Sequence, residues 1–225
     1  MRIAVLGTGR VGQTMAARLA ELGHTVTIGT RDPEATLSRT APDAMGTPPL
    51  VAWAADHPGI GVARFADAAA GADLIVNATN GGASLDALTQ AGTENLDGKV
   101  ILDIANPLDT TQGMPPTLFV KDTDSLGEQI QRAFPAARVV KSLNTLTAEF
   151  QAYPARLPET GTVFVSGNDA AAKSSVTELL KDFGHQDVID LGDITTARGA
   201  EMVMPLWLRL WGALGSPAFN FKIVR

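Results

Sequence analysis

An α/β fold with a doubly wound, mostly parallel sheet and a small C-terminal extension of helix and strand is predicted from two features of the sequence. Short runs of β-forming residues alternate with helical stretches along the chain, which is the pattern of βαβ units. Several of these runs are apolar at nearly every position, as expected for strands that helices cover on both faces. The predicted strands are Ile3–Leu6, Thr25–Ile28, Leu74–Ala78, Val100–Ile104, Val139–Leu143 and Val163–Val165.

The composition is that of a folded protein. Of 225 residues, 45% are hydrophobic and 19% are charged, which allows a buried core and argues against disorder. We expect residues 1–225 to form one domain, with an extension from about residue 193 that packs on the core or on a dimer interface. The net charge of −6, without a basic cluster, argues against a nucleic-acid partner. The chain lacks cysteine and its first strand follows the initial Met directly, so we expect a cytoplasmic protein.

The first predicted helix follows the first strand closely. Val11, Met15, Leu19 and Leu22 repeat at helical spacing and would lie on one buried face. Gly23 stands where a C-terminal glycine commonly ends a helix. The first strand, this helix and the second strand therefore form a βαβ unit.

Capping residues mark two later helices. Ser125 can cap the start of one helix while Glu128 reaches back to complete a capping box. Either Asn168 or Asp169 can cap a helix near the end of the chain. The stretch 40–61 is rich in proline and glycine around a short apolar segment, which indicates a local elaboration of the fold.

The segment Met202–Leu214 is apolar on nearly every side, although Pro205 and Arg209 interrupt it. It is shorter than the roughly 20 residues that span a bilayer. A helix that is apolar all round must be buried. We therefore expect it to pack against the protein core and across a homodimer interface, with no membrane contact.

One glycine motif carries most of the chemistry. The residues are Gly7, Thr8, Gly9, Arg10, Val11 and Gly12, a GxGxxG string that follows a strand and opens a helix. Gly7 permits a tight turn, Gly9 lets the backbone approach a diphosphate, and Gly12 allows close packing of helix on strand. The helix N-terminus offers free N–H groups and a partial positive charge to the diphosphate. The motif predicts a Rossmann-type dinucleotide site.

The end of the second strand indicates NADP rather than NAD. An NAD-binding protein usually carries an acidic residue about 20 residues beyond the glycines, where it binds the ribose hydroxyls. This chain has Thr30 and Arg31 there, and both can donate to a 2′-phosphate. Alternatively, Arg31 is an ordinary surface residue and Asp32 takes the acidic role one position later.

Polar turns follow three further strands at the carboxyl edge of the sheet, where doubly wound folds bind ligands. Asparagine side chains there could bind the cofactor ribose, its carboxamide or a substrate, and small alanines would leave space for a ring. Asparagine also favours turns for purely local reasons. The candidate residues in these turns are Asn77, Ala78, Thr79, Asn80, Ala105, Asn106 and Asn144.

No side chain is predicted to act as a catalytic acid or base. His24, His57 and His185 are scattered without ligand spacing, so we expect no metal site. Hydride transfer between two ring cofactors needs orientation and exclusion of water more than proton exchange. Asn144 is the candidate for an orienting residue.

Five stretches resemble the family of NADP oxidoreductases that use the deazaflavin coenzyme F420. They are GTGRVG, the Gly23-His24 strand into GTR, RVVKSLNT, Val163–Asp169 and IDLGDITTAR. The chain is also similar to the cytoplasmic oxidoreductase domain of six-transmembrane ferric reductases, particularly from Val139–Asn144 to Trp211. Asn144 stands where the archaeal deazaflavin enzymes would have histidine, which is closer to the ferric-reductase version.

The resemblance implies that NADPH binds at the glycine loop and passes a hydride to a flavin-like acceptor such as F420. A flavin-mediated ferric reductase-like enzyme is one alternative. A second is a hydroxyacid or imine dehydrogenase, for which this chain stops before the expected large helical domain. A third is a non-catalytic NADP(H)-sensing protein whose apolar C-terminal helix docks on a partner.

Overall fold

The computed structural model describes residues 1–43 and 46–225. Within these residues, eight strands form one mixed sheet and two short strands form a separate antiparallel ribbon. The strands are β1 Arg2–Leu6, β2 Thr25–Thr30, β3 Gly61–Arg64, β4 Leu74–Asn77, β5 Val100–Asp103, β6 Leu108–Asp109, β7 Thr117–Leu118, β8 Arg138–Ser142, β9 Thr162–Gly167 and β10 Asp187–Gly192.

Helices connect the strands and cover the sheet. They are α1 Arg10–Glu21, α2 Pro33–Leu37, α3 Leu50–Ala55, α4 Phe65–Ala70, α5 Ser84–Ala91, α6 Thr93–Leu96, α7 Leu126–Ala133, α8 Ala148–Ala152, α9 Ala170–Phe183, α10 Ala197–Met202 and α11 Met204–Leu214. Apolar side chains from both faces of the sheet are buried in two large clusters. This two-sided burial explains the near-continuous apolar runs in the strands.

The sheet has the strand order β10-β9-β8-β5-β4-β1-β2-β3. Strands β1 to β5 and β8 of this sheet run parallel to one another, whereas β9 runs antiparallel to β8 and β10 runs parallel to β9. The chain builds outward from β1 through β2 and β3, and then crosses over to β4 on the other side. The predicted doubly wound, mostly parallel sheet is confirmed, and its switch point lies between β1 and β4.

Each predicted strand is present, and so is the ribbon of β6 and β7, which was not predicted. In the main sheet, β3 and β10 were also not predicted. Both lie at an edge of the sheet, where only part of each strand is covered. β10 carries Asp187 and Asp190, and β3 begins with Gly61 and ends with Arg64, so neither shows a continuous apolar run. In the proline-rich stretch 40–61 the structure forms α3, and residues 44–45 of that stretch lie outside the described residues.

The predicted helix caps are present. Ser125 Oγ accepts a hydrogen bond from the Glu128 amide at 3.1 Å, and of the two candidates for the later helix, Asp169 caps α9. Asn168 instead accepts a bond from the amide of Ile194. The Glu128 carboxylate accepts from the Ser125 hydroxyl and pairs with Arg198, which ties α7 to α10.

The C-terminal apolar segment divides into two helices at Val203 instead of forming one. Met204 and Trp207 are buried with Leu118 in a third, small cluster. On the outer face Leu206 remains 55% exposed, so a single chain does not bury this segment on every side as expected. Burial of its outer face by a second subunit stays a prediction. No helix in the described ranges is long and apolar enough to cross a membrane.

His185 should give the protein a mild acid sensitivity. Burial lowers the pKa of the His185 ring below its ordinary value of 6.5, although its Nε2–H donates to the Gln151 carbonyl at 2.9 Å. The folded ring therefore stays neutral where the unfolded chain binds a proton. This contribution to stability is full above pH 6.5 and declines below it, by at most about 1.4 kcal/mol per pH unit.

We expect His185→Gln, which keeps a donor for the Gln151 carbonyl, to reduce the stability difference between about pH 7.5 and pH 5.5. Urea unfolding at the two pH values measures it. An unchanged difference in the free energy of unfolding would contradict this role of His185.

Candidate functional site

The glycine loop joins the carboxyl end of β1 to the N-terminus of α1. Gly7 has a φ of +125°, and its amide donates to the Gly29 carbonyl at 3.1 Å. A Cβ on Gly12 would lie 2.1 Å from the Gly7 carbonyl oxygen, so only glycine lets the helix approach the loop this closely. A Cβ on Gly9 would meet nothing within 4 Å, which means that this part of the loop faces open space.

The N-terminus of α1 has the features of an anion site. Gly9 is the N-cap residue and supplies no side-chain cap, and the first turn within this described helix holds no acidic residue. The first backbone N–H groups of an α-helix have no partner within the helix. Together with the helix dipole, they suit the diphosphate of a dinucleotide.

A cleft of about 310 Å³ opens beside this loop. Thr8 and Gly9 form one part of its lining, and Thr36 and Arg39 lie on another. The Gln13 side chain holds the two sides in place by donating to the carbonyls of Thr8 and Pro48, each at 3.0 Å. Sequence reasoning missed Arg39 because it lies beyond α2, away from any recognised motif.

The two residues that favour NADP are placed differently. Thr30 is 6% exposed, and its hydroxyl pairs with that of Thr36 at 2.9 Å. The Arg31 side chain is 70% exposed, and its ion pair with Asp86 is long, at 3.5 Å. Asp32, the alternative ribose ligand, uses its carboxylate to cap α2. Arg31 is thus free to turn toward a phosphate, whereas Thr30 positions Thr36.

The turn after β4 is held by a buried amide. Asn77 is fully buried, and its Nδ2 donates to Asp103 at 2.8 Å and to Ser84 at 3.1 Å. Its Oδ1 accepts from the Thr79 hydroxyl at 2.7 Å. Of the four candidates in this turn, Asn77 and Ala78 are buried, Thr79 is half-buried and Asn80 is exposed. Asn80 is therefore the most accessible to a ligand.

The structure brings together the turns that follow β5 and β8. Asn106 donates to the Asn144 carbonyl at 2.8 Å, and the Asn144 amide donates back to Asn106 Oδ1 at 3.0 Å. Asn144 also donates to the Ala200 carbonyl of α10 at 2.9 Å. Asn144 and Ala105 are buried, whereas Asn106 is half-buried. Direct contact of Asn144 with a cofactor stays a prediction, and its present bonds join the sheet edge to α10.

Behind this edge lies a buried charge cluster that sequence reasoning also missed. The Lys141 ammonium lies 2.9 Å from both Asp103 Oδ2 and Glu201 Oε1. Burial alone would lower the pKa of Lys141, but the two carboxylates outweigh it and raise the pKa above the ordinary value. Lys141 sits in an apolar strand sequence, which gives no sign of its acidic partners.

The histidines remain apart from this site. Across residues 1–43 and 46–225, no group of three or more histidine, aspartate or glutamate side chains could hold a metal ion. His57 stacks on Trp53 with ring centroids 4.1 Å apart, and His185 is buried beside Gln151.

Comparison with known proteins agrees with this geometry. Residues 2–107, which span the glycine loop and the polar turns up to Asn106, match the family described as NADP oxidoreductase coenzyme F420-dependent. The chain is 30% identical over 213 residues to the F420-dependent NADP reductase of Methanocaldococcus jannaschii, covering 93% of this chain and 92% of that protein.

It is 24% identical over 211 residues to the metalloreductase STEAP3 of Rattus norvegicus, covering 92% of this chain but 38% of that protein. A crystal structure of a protein from Arthrobacter sp. FB24, for which an F420-dependent NADP-reductase activity is proposed, is 64% identical, with a TM-score of 0.96 and full coverage of both chains. The chain is an NADP-dependent oxidoreductase and belongs to the family of coenzyme F420-dependent NADP oxidoreductases.

Proposed function

We propose that the protein transfers a hydride between NADPH and the deazaflavin coenzyme F420. The observation that carries this proposal is the open, uncapped glycine loop at the switch point of the sheet, next to turns lined by amides and small side chains. Such side chains orient rings and do not exchange protons. The family membership and the names of the relatives support F420 as the acceptor.

The residues present fit an NADP molecule. The glycine loop and the α1 N-terminus would hold the diphosphate, because Gly9 leaves room for a close approach. Arg31 would bind the 2′-phosphate, and Arg39 in the neighbouring cleft would supply a second positive charge. The nicotinamide half would then extend toward Asn80 and Asn106.

When bound, the two cofactors supply all of the redox chemistry, since the nicotinamide gives the hydride and the deazaflavin accepts it. The protein would orient the two rings and shield them from water. The turns after β4 and β5 would hold the nicotinamide ring, with the small Ala78 and Ala105 leaving space beside it. The C-terminal helices, which the Asn144 bond ties to this edge, would shield the reacting atoms from water.

The acceptor can be tested by offering coenzyme F420, FMN, FAD and ferric chelates in turn to the protein with NADPH, and by following the nicotinamide absorbance without oxygen. We expect NADPH oxidation that requires F420. Oxidation that requires a flavin or ferric iron would instead place the protein with the ferric-reductase-like alternative. Asn144 and the similarity to STEAP3 favour that alternative.

Tight NADPH binding without oxidation by any acceptor would favour a non-catalytic NADP(H) sensor. For the assembly, we propose a homodimer in which α11 and its exposed Leu206 and Leu214 face the second subunit. A cytoplasmic location also remains a proposal.

A further inference from the structure

Beneath the asparagine turns, one buried cation is held between two buried carboxylates. The side chains of Lys141 and Asp103 have no exposed surface, and that of Glu201 is 1% exposed. The ammonium donates to Asp103 Oδ2 and Glu201 Oε1, each at 2.9 Å, and to the Ala105 carbonyl. All three ammonium protons therefore have an acceptor.

Both carboxylates are surrounded as ionised groups would be. Asp103 Oδ1 accepts from the Asn77 amide at 2.8 Å and from the Ala105 backbone N–H at 3.2 Å. The two Glu201 oxygens accept from the backbone N–H groups of Leu126 and Gly127 at the start of α7, at 2.8 and 3.0 Å. Among the described residues, both carboxylates act only as hydrogen-bond acceptors, which suits two negative charges.

The cluster joins the elements that meet at the carboxyl edge of the sheet, where the nicotinamide would lie. Asp103 ends β5, Lys141 lies in β8 and Glu201 lies in α10. Through Asp103 the cluster also reaches Asn77, whose Oδ1 fixes Thr79. Its effect thus extends from the C-terminal helices to the turn after β4.

Burying such an ionic cluster is a poor way to gain stability, because desolvation of the charges offsets much of their attraction. What the cluster provides is a fixed geometry, because the three ammonium protons and their three acceptors must be matched at once. Next to Glu201, the Ala200 carbonyl accepts from Asn144, so two consecutive residues of α10 are tied to the same edge. The geometry that is fixed is that of the polar turns relative to α10.

We propose that Lys141 is a positioning residue for hydride transfer, which holds α10 and the turns after β4 and β5 in the arrangement that aligns the nicotinamide with its acceptor. This inference rests on the proposed function. It assigns Lys141 no contact with the reacting atoms. A displacement of about 1 Å in an active site can reduce the rate by about 100-fold.

The test compares Lys141→Met and Glu201→Gln with a matched control, Arg198→Met. The control removes two other hydrogen bonds between α10 and α7, from Arg198 Nε and Nη2 to the Glu128 carboxylate, without touching the asparagine turns. Three quantities are measured on each folded variant: the Kd for 2′,5′-ADP, which probes the adenine half alone, the fluorescence of bound NADPH, and the single-turnover rate of transfer to F420.

For Lys141→Met we expect a 2′,5′-ADP Kd within about twofold of the wild type, altered nicotinamide fluorescence and a transfer rate lowered by about 100-fold. Glu201→Gln keeps the pair of Lys141 with Asp103 and should show the same pattern to a smaller degree, so it serves if Lys141→Met does not fold. Arg198→Met should behave as the wild type in all three measurements.

Wild-type transfer and fluorescence in a folded Lys141→Met or Glu201→Gln variant would overturn the inference. An equal loss in Arg198→Met would also overturn it, because general docking of α10 would then suffice. If the wild type reduces no acceptor, the proposed function fails, whereas the fluorescence of bound NADPH still tests the positioning role.

Discussion

Gly12→Ala is expected to weaken NADPH binding severely. The new Cβ would lie 2.1 Å from the Gly7 carbonyl oxygen and 2.8 Å from its carbon, and both are backbone atoms that cannot move aside cheaply. The loop and α1 would have to separate, which would disperse the N–H groups that face the diphosphate. We expect the Kd for NADPH to rise by about 100-fold or more, measured by fluorescence titration.

Two other glycines separate loss of binding from loss of folding. Gly9→Ala places its Cβ in open space, so the melting temperature should stay close to that of the wild type while NADPH binds more weakly. Gly71→Ala also meets nothing within 4 Å but lies away from the loop, and it should leave the Kd unchanged. Wild-type affinity in a folded Gly12→Ala variant would refute this account of the loop.

Removal of Arg31 and Arg39 together should convert an NADPH-selective protein into one that binds NADPH and NADH about equally. The 2′-phosphate is the only difference between the two cofactors. Both arginines are exposed, Arg31 at the end of β2 and Arg39 in the cleft beside the glycine loop, where the 2′-phosphate is expected to bind. A hydrogen bond to a charged group contributes about 1.5 to 3 kcal/mol, so two such losses should weaken NADPH binding by about 100-fold or more.

The readout is the Kd of each cofactor for Arg31→Ala, Arg39→Ala and the double variant. Arg2→Ala is the matched control, since Arg2 pairs with Asp73 at the amino end of β1, opposite the cofactor edge. Its selectivity should equal that of the wild type. If the double variant loses NADPH and NADH affinity in equal measure, the two arginines do not recognise the 2′-phosphate.

The sequence predicts the central sheet well, because strands that are buried on both faces must be apolar throughout. It predicts the edge strands poorly, since β3 and β10 are covered only in part and need not be apolar throughout. β10, for example, contains Asp187 and Asp190. The glycine motif predicts the turn between β1 and α1 correctly, because the close backbone contacts there require glycine. Gly7 and Gly12 occupy positions where backbone atoms leave no space for a Cβ.

The direction of polar side chains at the ends of strands was harder to predict. Because Thr30, Asn77 and Asn144 follow or end strands, the sequence predicts that their side chains face the binding edge. In the structure these side chains instead make hydrogen bonds within the protein, to Thr36, Asp103 and Ala200. At Asn144 the preceding residue, Leu143, has a φ of +59°, a local turn that the apolar pattern does not reveal. Arg39 and Lys141 were missed because their importance depends on partners distant in sequence.

The C-terminal region shows a further limit. Its composition correctly indicates that Met204 and Trp207 are buried, but helical periodicity did not predict the break at Val203. That residues 193–225 act as an extension on a dimer interface, within one domain, remains a proposal. The exposed Leu206 and Leu214 are the residues on which it depends.

The most direct test of the central proposal is a single turnover with NADPH that carries deuterium at C4 on the transferred face. The deazaflavin has carbon at its accepting position, so a transferred deuterium should be retained and not exchange with water. We expect one deuterium in reduced F420 by mass spectrometry, together with a slower rate than with unlabelled NADPH. Reduced F420 without deuterium from either face of C4, or no reduction at all, would contradict direct hydride transfer between NADPH and F420.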